Sequence, residues 1–172
     1  LSIGSGVFTI TGAGDIFMDA GIGALLQSST STTAAGENVR LVATGDVTVA
    51  EVIADKISVL SSANIITAPG ASLNLSASAL RLDAGQAIGT GTDPLTVSVS
   101  ELSALANTGG IFLSESDDIT VSSVGVTTDK VGADATTTPI ADGALSDLQS
   151  GSNGSIVLSA SGSITLDDGD SD

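Results

Sequence analysis

The chain has 172 residues, 41% of them hydrophobic, with no Cys, His, Trp or Tyr and only three Phe. Its 4 basic against 20 acidic residues give a net charge of −16. That argues against nucleic-acid or anionic-membrane binding, which needs clustered Lys and Arg, whereas Arg40, Lys56, Arg81 and Lys130 are spread singly along the sequence. Without His or Cys there is no base for a serine triad, no thiolate and no ordinary zinc site.

Paired short runs recur along the chain. Val7-Phe8-Thr9-Ile10 is followed by Asp15-Ile16-Phe17-Met18, and Val39-Arg40-Leu41-Val42 by Asp46-Val47-Thr48-Val49. The next pairs are Ile111-Phe112-Leu113 with Asp118-Ile119-Thr120-Val121, and Ile156-Val157-Leu158 with Ile164-Thr165-Leu166. Between them, runs starting at Val39, Val47, Ile57, Ile65, Leu73 and Leu82 keep steps of 8, 10, 8, 8 and 9 residues. Apolar residues alternate within each run, as in a strand with one buried face. Gly, Asn, Asp and Ser fill the gaps, as tight corners require. Three stretches break this beat and are expected as loops: 27–36, 85–94 and 125–154, the last with one or two helical turns near Ala141–Leu148. No run of 18 apolar residues is present to span a bilayer as a helix.

Evenly spaced short strands also fit a β-sandwich. The uniform connections and the lack of large aromatics favour a narrow column of stacked aliphatics instead. The spacing therefore predicts one all-β unit over residues 1–172, a right-handed parallel β-helix (a β-solenoid) with coils of about 20 residues rising ~4.8 Å each.

The strings Gly-Asp-Val-Thr-Val (45–49), Leu-Arg-Leu-Asp-Ala-Gly-Gln-Ala-Ile-Gly (80–89), Thr-Gly-Gly-Ile-Phe-Leu-Ser-Glu (108–115) and Gly-Ser-Ile-Val-Leu-Ser-Ala-Ser-Gly-Ser-Ile-Thr-Leu-Asp-Asp-Gly-Asp (154–170) carry a family resemblance. In this wording the chain resembles large repetitive bacterial surface exoproteins with filamentous-haemagglutinin-like β-helix repeats, from about residue 36 onward. The resemblance implies an extracellular, cell-surface or secreted location. It also implies a role in adhesion, biofilm matrix or a surface coat, often as tandem units. The secretion signature of the haemagglutinin class is not found in these residues.

No enzyme is expected. A carbohydrate-active β-helix needs two flanking carboxylates and usually aromatic platforms, and the latter are missing. The acidic clusters have two readings. Asp168, Asp170 and Asp172 follow the alternate spacing that opens a calcium loop, and Glu115, Asp117 and Asp118 form a weaker cluster before a strand. Solvated corners and turn-capping carboxylates are the competing reading. Phe17 and Phe112 occupy the outward position of their runs, expected either under the loops or in a lateral contact with another chain.

The strand pattern begins at Leu1-Ser2-Ile3 and runs to Ile164-Thr165-Leu166. The chain therefore reads as a segment of something longer, with Leu1, Ile3, Ile164 and Leu166 stacking end to end on neighbouring units. The partner is then another copy or an adjacent repeat. A binding module, with the 125–154 segment recognising a sugar or receptor, is the alternative.

Overall fold

The computed structural model describes residues 1–4, 6–9 and 12–167. All regular structure in them is β, and no helix is long and apolar enough to cross a membrane. The first strands are β1 (Ser2–Ile3), β2 (Gly6–Thr9), β3 (Ile16–Asp19), β4 (Leu25–Gln27), β5 (Ser31–Ala34) and β6 (Asn38–Ala43). Then come β7 (Val47–Val49), β8 (Glu51–Ile53), β9 (Lys56–Ser61), β10 (Ile65–Thr67), β11 (Leu75–Ala84) and β12 (Leu95–Ala106). The rest are β13 (Ile111–Glu115), β14 (Ile119–Val121), β15 (Ser123–Val131), β16 (Thr137–Ser146), β17 (Leu148–Ser150), β18 (Ile156–Ala160) and β19 (Ile164–Leu166).

Two parallel sheets form the body. The smaller has four strands in the order β1-β4-β7-β10, and the larger has 13 and curls like a half-barrel. A separate antiparallel hairpin, β15–β16, completes the fold.

This corrects the expected β-helix of regular 20-residue coils. Three features overturn it. Two strands are longer than any expected run, ten residues in β11 and twelve in β12, and the pairings join into one 13-stranded sheet. The sequence step between partners is uneven: 18 residues for Asn38↔Lys56, 25 for Gly6↔Ser31 and 45 for Ile111↔Ile156. An antiparallel sheet is also inserted where a loop was expected. The physical cause lies in the missing breakers. Residues 95–106 contain no Gly, Pro, Asn or Asp, so nothing forces a corner and the backbone stays extended.

The loop expectations change in the same way. Residues 31–34 form β5 rather than lying in a loop, with Ser31 and Thr33 buried. Residues 125–154 are chiefly β15, β16 and β17, and Ala141–Leu148 is extended rather than helical. Residues 85–94 hold no strand beyond a bridge at Ile88.

Parallel register stacks like on like. Ile16, Val39, Ile57, Leu80, Leu102, Val121 and Leu166 are successive partners on seven neighbouring strands. A second column runs Leu25, Val47, Ile65, Ile88, Ile111 and Ile156. Stacked branched aliphatics fill this core without aromatic side chains. Two polar plugs interrupt it. Asn74, fully buried, donates to the Val49 and Ala50 carbonyls and accepts from the Thr96 N–H, while Gln27 bridges Thr33 and the Ala50 N–H. Each plug leaves the surrounding backbone groups satisfied, which is the condition for burying an amide.

Candidate functional site

Among the described residues, no strand covers either end of the strand stack. At one, β1, β2 and β3 are the outermost strands; at the other, β17, β18 and β19 are. The columns that are sealed inside emerge here. Ile57, Leu80 and Leu102 are 0% exposed, but Leu166 at the end of their column is 75% exposed. In the second column Ile156 is 44% exposed, and Leu1, beside Leu25 in register, is 56% exposed. Ile164 is exposed on β19, whereas Ile3 is half-buried on β1. The four residues expected to stack thus lie two at each edge.

The acidic corners have a structural use. The carboxylate before one strand accepts an N–H at, or just before, the start of the neighbouring strand. Asp15 takes the Asn38 N–H at 2.9 Å, Asp46 the Asn64 N–H at 3.0 Å, and Asp118 the Ser163 N–H at 2.6 Å. Asn64 passes the pattern on by accepting the Ala87 N–H. This explains the Asp that precedes three of the four second runs: it caps a backbone donor that the ladder leaves unpaired.

Glu115 behaves differently from its neighbours Asp117 and Asp118. It is buried and stands in register between Val97 and Ala160. Its carboxylate accepts the Val99 N–H at 3.0 Å and the Ser116 N–H at 2.7 Å. Among the described residues no three acidic side chains converge as a metal site. Asp168, Asp170 and Asp172 lie outside the described residues.

Burial pushes the Glu115 carboxyl above its ordinary value of 4.5, against the opposing pull of the Ser116, Val99 and Asp117 N–H groups. A carboxyl raised in the fold stabilises most when protonated, below its unfolded value, and that contribution is lost as pH rises through the folded value. Glu115→Gln removes the titration. Its urea midpoint is therefore expected to change less between pH 7 and 4.5 than that of the parent, which gains on acidification. Parallel midpoint curves for the two proteins would exclude this role.

The hairpin is the feature that sequence reasoning missed. It folds flat onto the lateral face of the large sheet, where β15 packs against β3, β6, β9, β11 and β12. Val124, Val126 and Thr128 point inward and are buried. Asp142 on β16 receives both the Arg40 Nε–H and Nη2–H at 2.8 Å, together with the Ser58 hydroxyl at 2.8 Å. Arg81 donates to the Gly143 carbonyl and pairs with Asp83. Asn38 donates to the Thr127 carbonyl, and the Asp129 N–H to Asp15. Phe17 lies under this clasp, with Arg40 5.2 Å and Lys130 5.3 Å from its ring centre. Lys56 borders the same seam beside Gly125 and Thr127. All four basic residues, scattered in sequence, therefore meet on one face.

No family model, curated protein or solved structure matches the chain.

Phe112 sits elsewhere, half-buried on β13, with Gly91 of the 85–94 segment against its ring. A methyl group at Gly91 would stand 3.6 Å from that ring. Phe17 and Phe112 are thus each covered by a chain segment, while Val157, the register partner of Phe112 on β18, is 47% exposed at the open end. Among the described residues the arrangement offers two features: edge strands paired on one side only, and aliphatic columns whose last members are exposed at those edges.

Proposed function

We propose that this protein is a structural unit of an extracellular bacterial surface fibre, adhesin or matrix protein, joined end to end to neighbouring units. The observation that carries the reading is the in-register aliphatic column, sealed at Leu80 and Leu102 and open at Leu166. An outermost strand is a template for one more strand. A parallel strand laid on β18 and β19 extends both the hydrogen-bond ladder and the column, and it covers Ile156, Ile164 and Leu166. The net charge of −16 suits a hydrated surface particle that resists unspecific clumping. The repeat wording of the sequence supports the bacterial surface setting.

The alternative, recognition of a sugar or receptor by the 125–154 segment, is less favoured. Asp142, Lys130 and the backbone of Thr127, Asp129 and Gly143 are spent on the clasp to the sheet, and the longest exposed stretch left in the segment is the tip at 129–139.

The test is assembly. Light scattering and electron microscopy at rising concentration are expected to show end-to-end particles. Ile156→Lys with Leu166→Lys raises the concentration needed at least tenfold, without changing the circular dichroism of the fold. A parent protein that stays monomeric at millimolar concentration, with β18 and β19 amides strongly protected, overturns the reading.

A further inference from the structure

We propose that the tip of the β15–β16 hairpin laps across the junction onto a second copy of this chain and seats on its bare β14–β19 face. The proposal rests on the end-to-end reading above and names how the junction is held.

The hairpin climbs the stack one strand at a time. It touches β11 near Ala79, β9 through Ser58, β6 through Arg40 and Asn38, and β3 through Asp15 and Phe17. On this part of the sheet β3 is the outermost strand. Beyond the Lys130↔Thr138 pair the hairpin runs on past β3, with Val131 bordering a groove shared with Phe8, and residues 131–139 are all exposed. The tip nevertheless holds a defined turn. The Gly132 N–H donates to the Thr136 carbonyl at 2.8 Å, and the Thr136 hydroxyl to Asp134 at 2.8 Å.

The opposite edge shows the complementary lack. The ladders roofed by the hairpin run on to Thr120 and Thr165 on β14 and β19. These two strands are not among those that β15 covers. A shallow polar groove of about 420 Å³ lies there, lined by Ser100, Asp118, Thr120, Ser163 and Thr165.

The dimensions agree. Two to three residues of overhang reach roughly 7–10 Å, and two strand spacings are about 9.6 Å. A copy stacked by β3 on β19 therefore brings its tip over the two strands that lack a roof. The contact joins two different surfaces, so it repeats along one axis. Lys130 then stands one strand spacing from the ladder position of Asp167, which follows β19.

The chain has no cysteine, so an introduced pair reports without background. Ala133→Cys combined with Thr165→Cys places one thiol on the tip and one on the bare face. Under mild oxidation the double variant is expected to give a ladder of covalent oligomers, while each single variant stops at a dimer. The same samples are imaged under reducing conditions. End-to-end particles without a covalent ladder overturn the lapping tip and leave the stacking intact. Absence of particles removes the stacking reading, and this inference with it. Replacing 132–136 by Asn-Gly is expected to shorten particles severalfold with the hairpin still clasped, and unchanged particle length counts against the tip.

Discussion

Asp142→Ala is expected to destabilise the protein by about 3–5 kcal/mol, the usual consequence of removing one member of a buried ion pair. The Arg40 and Asp142 side chains are only 12% and 5% exposed. Without the carboxylate, the Arg40 guanidinium is left uncompensated under the hairpin, and the Ser58 hydroxyl loses its acceptor. The loss is not local, because this one side chain ties β16 to two strands of the sheet. Urea denaturation measures the loss directly. Amide exchange should quicken first at Val124, Val126 and Thr128, the inward residues of the clasp. Arg40→Met with Asp142→Leu recovers much of the stability, since an apolar pair of similar volume avoids the desolvation cost. A loss below about 1 kcal/mol for Asp142→Ala would place the pair among solvent-screened surface contacts and remove it as a clasp.

Leu80→Ala is the second large effect, at about 2–5 kcal/mol. Leu80 is 0% exposed and lies in register between Ile57 and Leu102. The neighbours above and below are fixed by backbone ladders, so the column closes on the void poorly and the upper part of that range applies. Leu166→Ala is the control within the same column: in unassembled protein it should cost less than about 0.5 kcal/mol, as an exposed position does. Equal losses at the two positions in denaturant titrations would contradict the open-ended column.

Burial along individual strands was legible in the sequence. The alternation over Ile111–Glu115 and Asn38–Ala43 appears in the structure as strict inside–outside alternation. Period-2 patterning states which side chains share a face, and for that it suffices. It does not state where a strand ends. Runs were expected to start at Leu73 and Leu82, yet 75–84 fold as one strand, and 95–106 as another, because neither stretch holds a Gly or Pro that compels a bend. Nor does it reveal long-range polar contacts. Arg40 and Asp142 are 102 residues apart, and nothing local marks them as partners. Polar plugs such as Asn74 and Gln27 look like ordinary turn residues until the ladder around them is known. Glu115 was grouped with Asp117 and Asp118 by proximity alone, although strand alternation turns it inward and leaves them at the corner.

The gathering of all four basic side chains on the hairpin seam has a colloidal consequence. Away from that seam the side-chain charge is of one sign, so the particle is patchy: acidic on the flanks that lack the hairpin, with apolar residues exposed at its two ends. At physiological ionic strength the repulsion acts over about 8 Å, wider than the ~4.8 Å separation that strand pairing demands. Flank-to-flank approach is opposed before any short-range attraction begins, while pole-to-pole approach brings apolar surface together. On the end-to-end assembly proposed above, growth in one dimension without bundling would follow in part from where those four side chains lie.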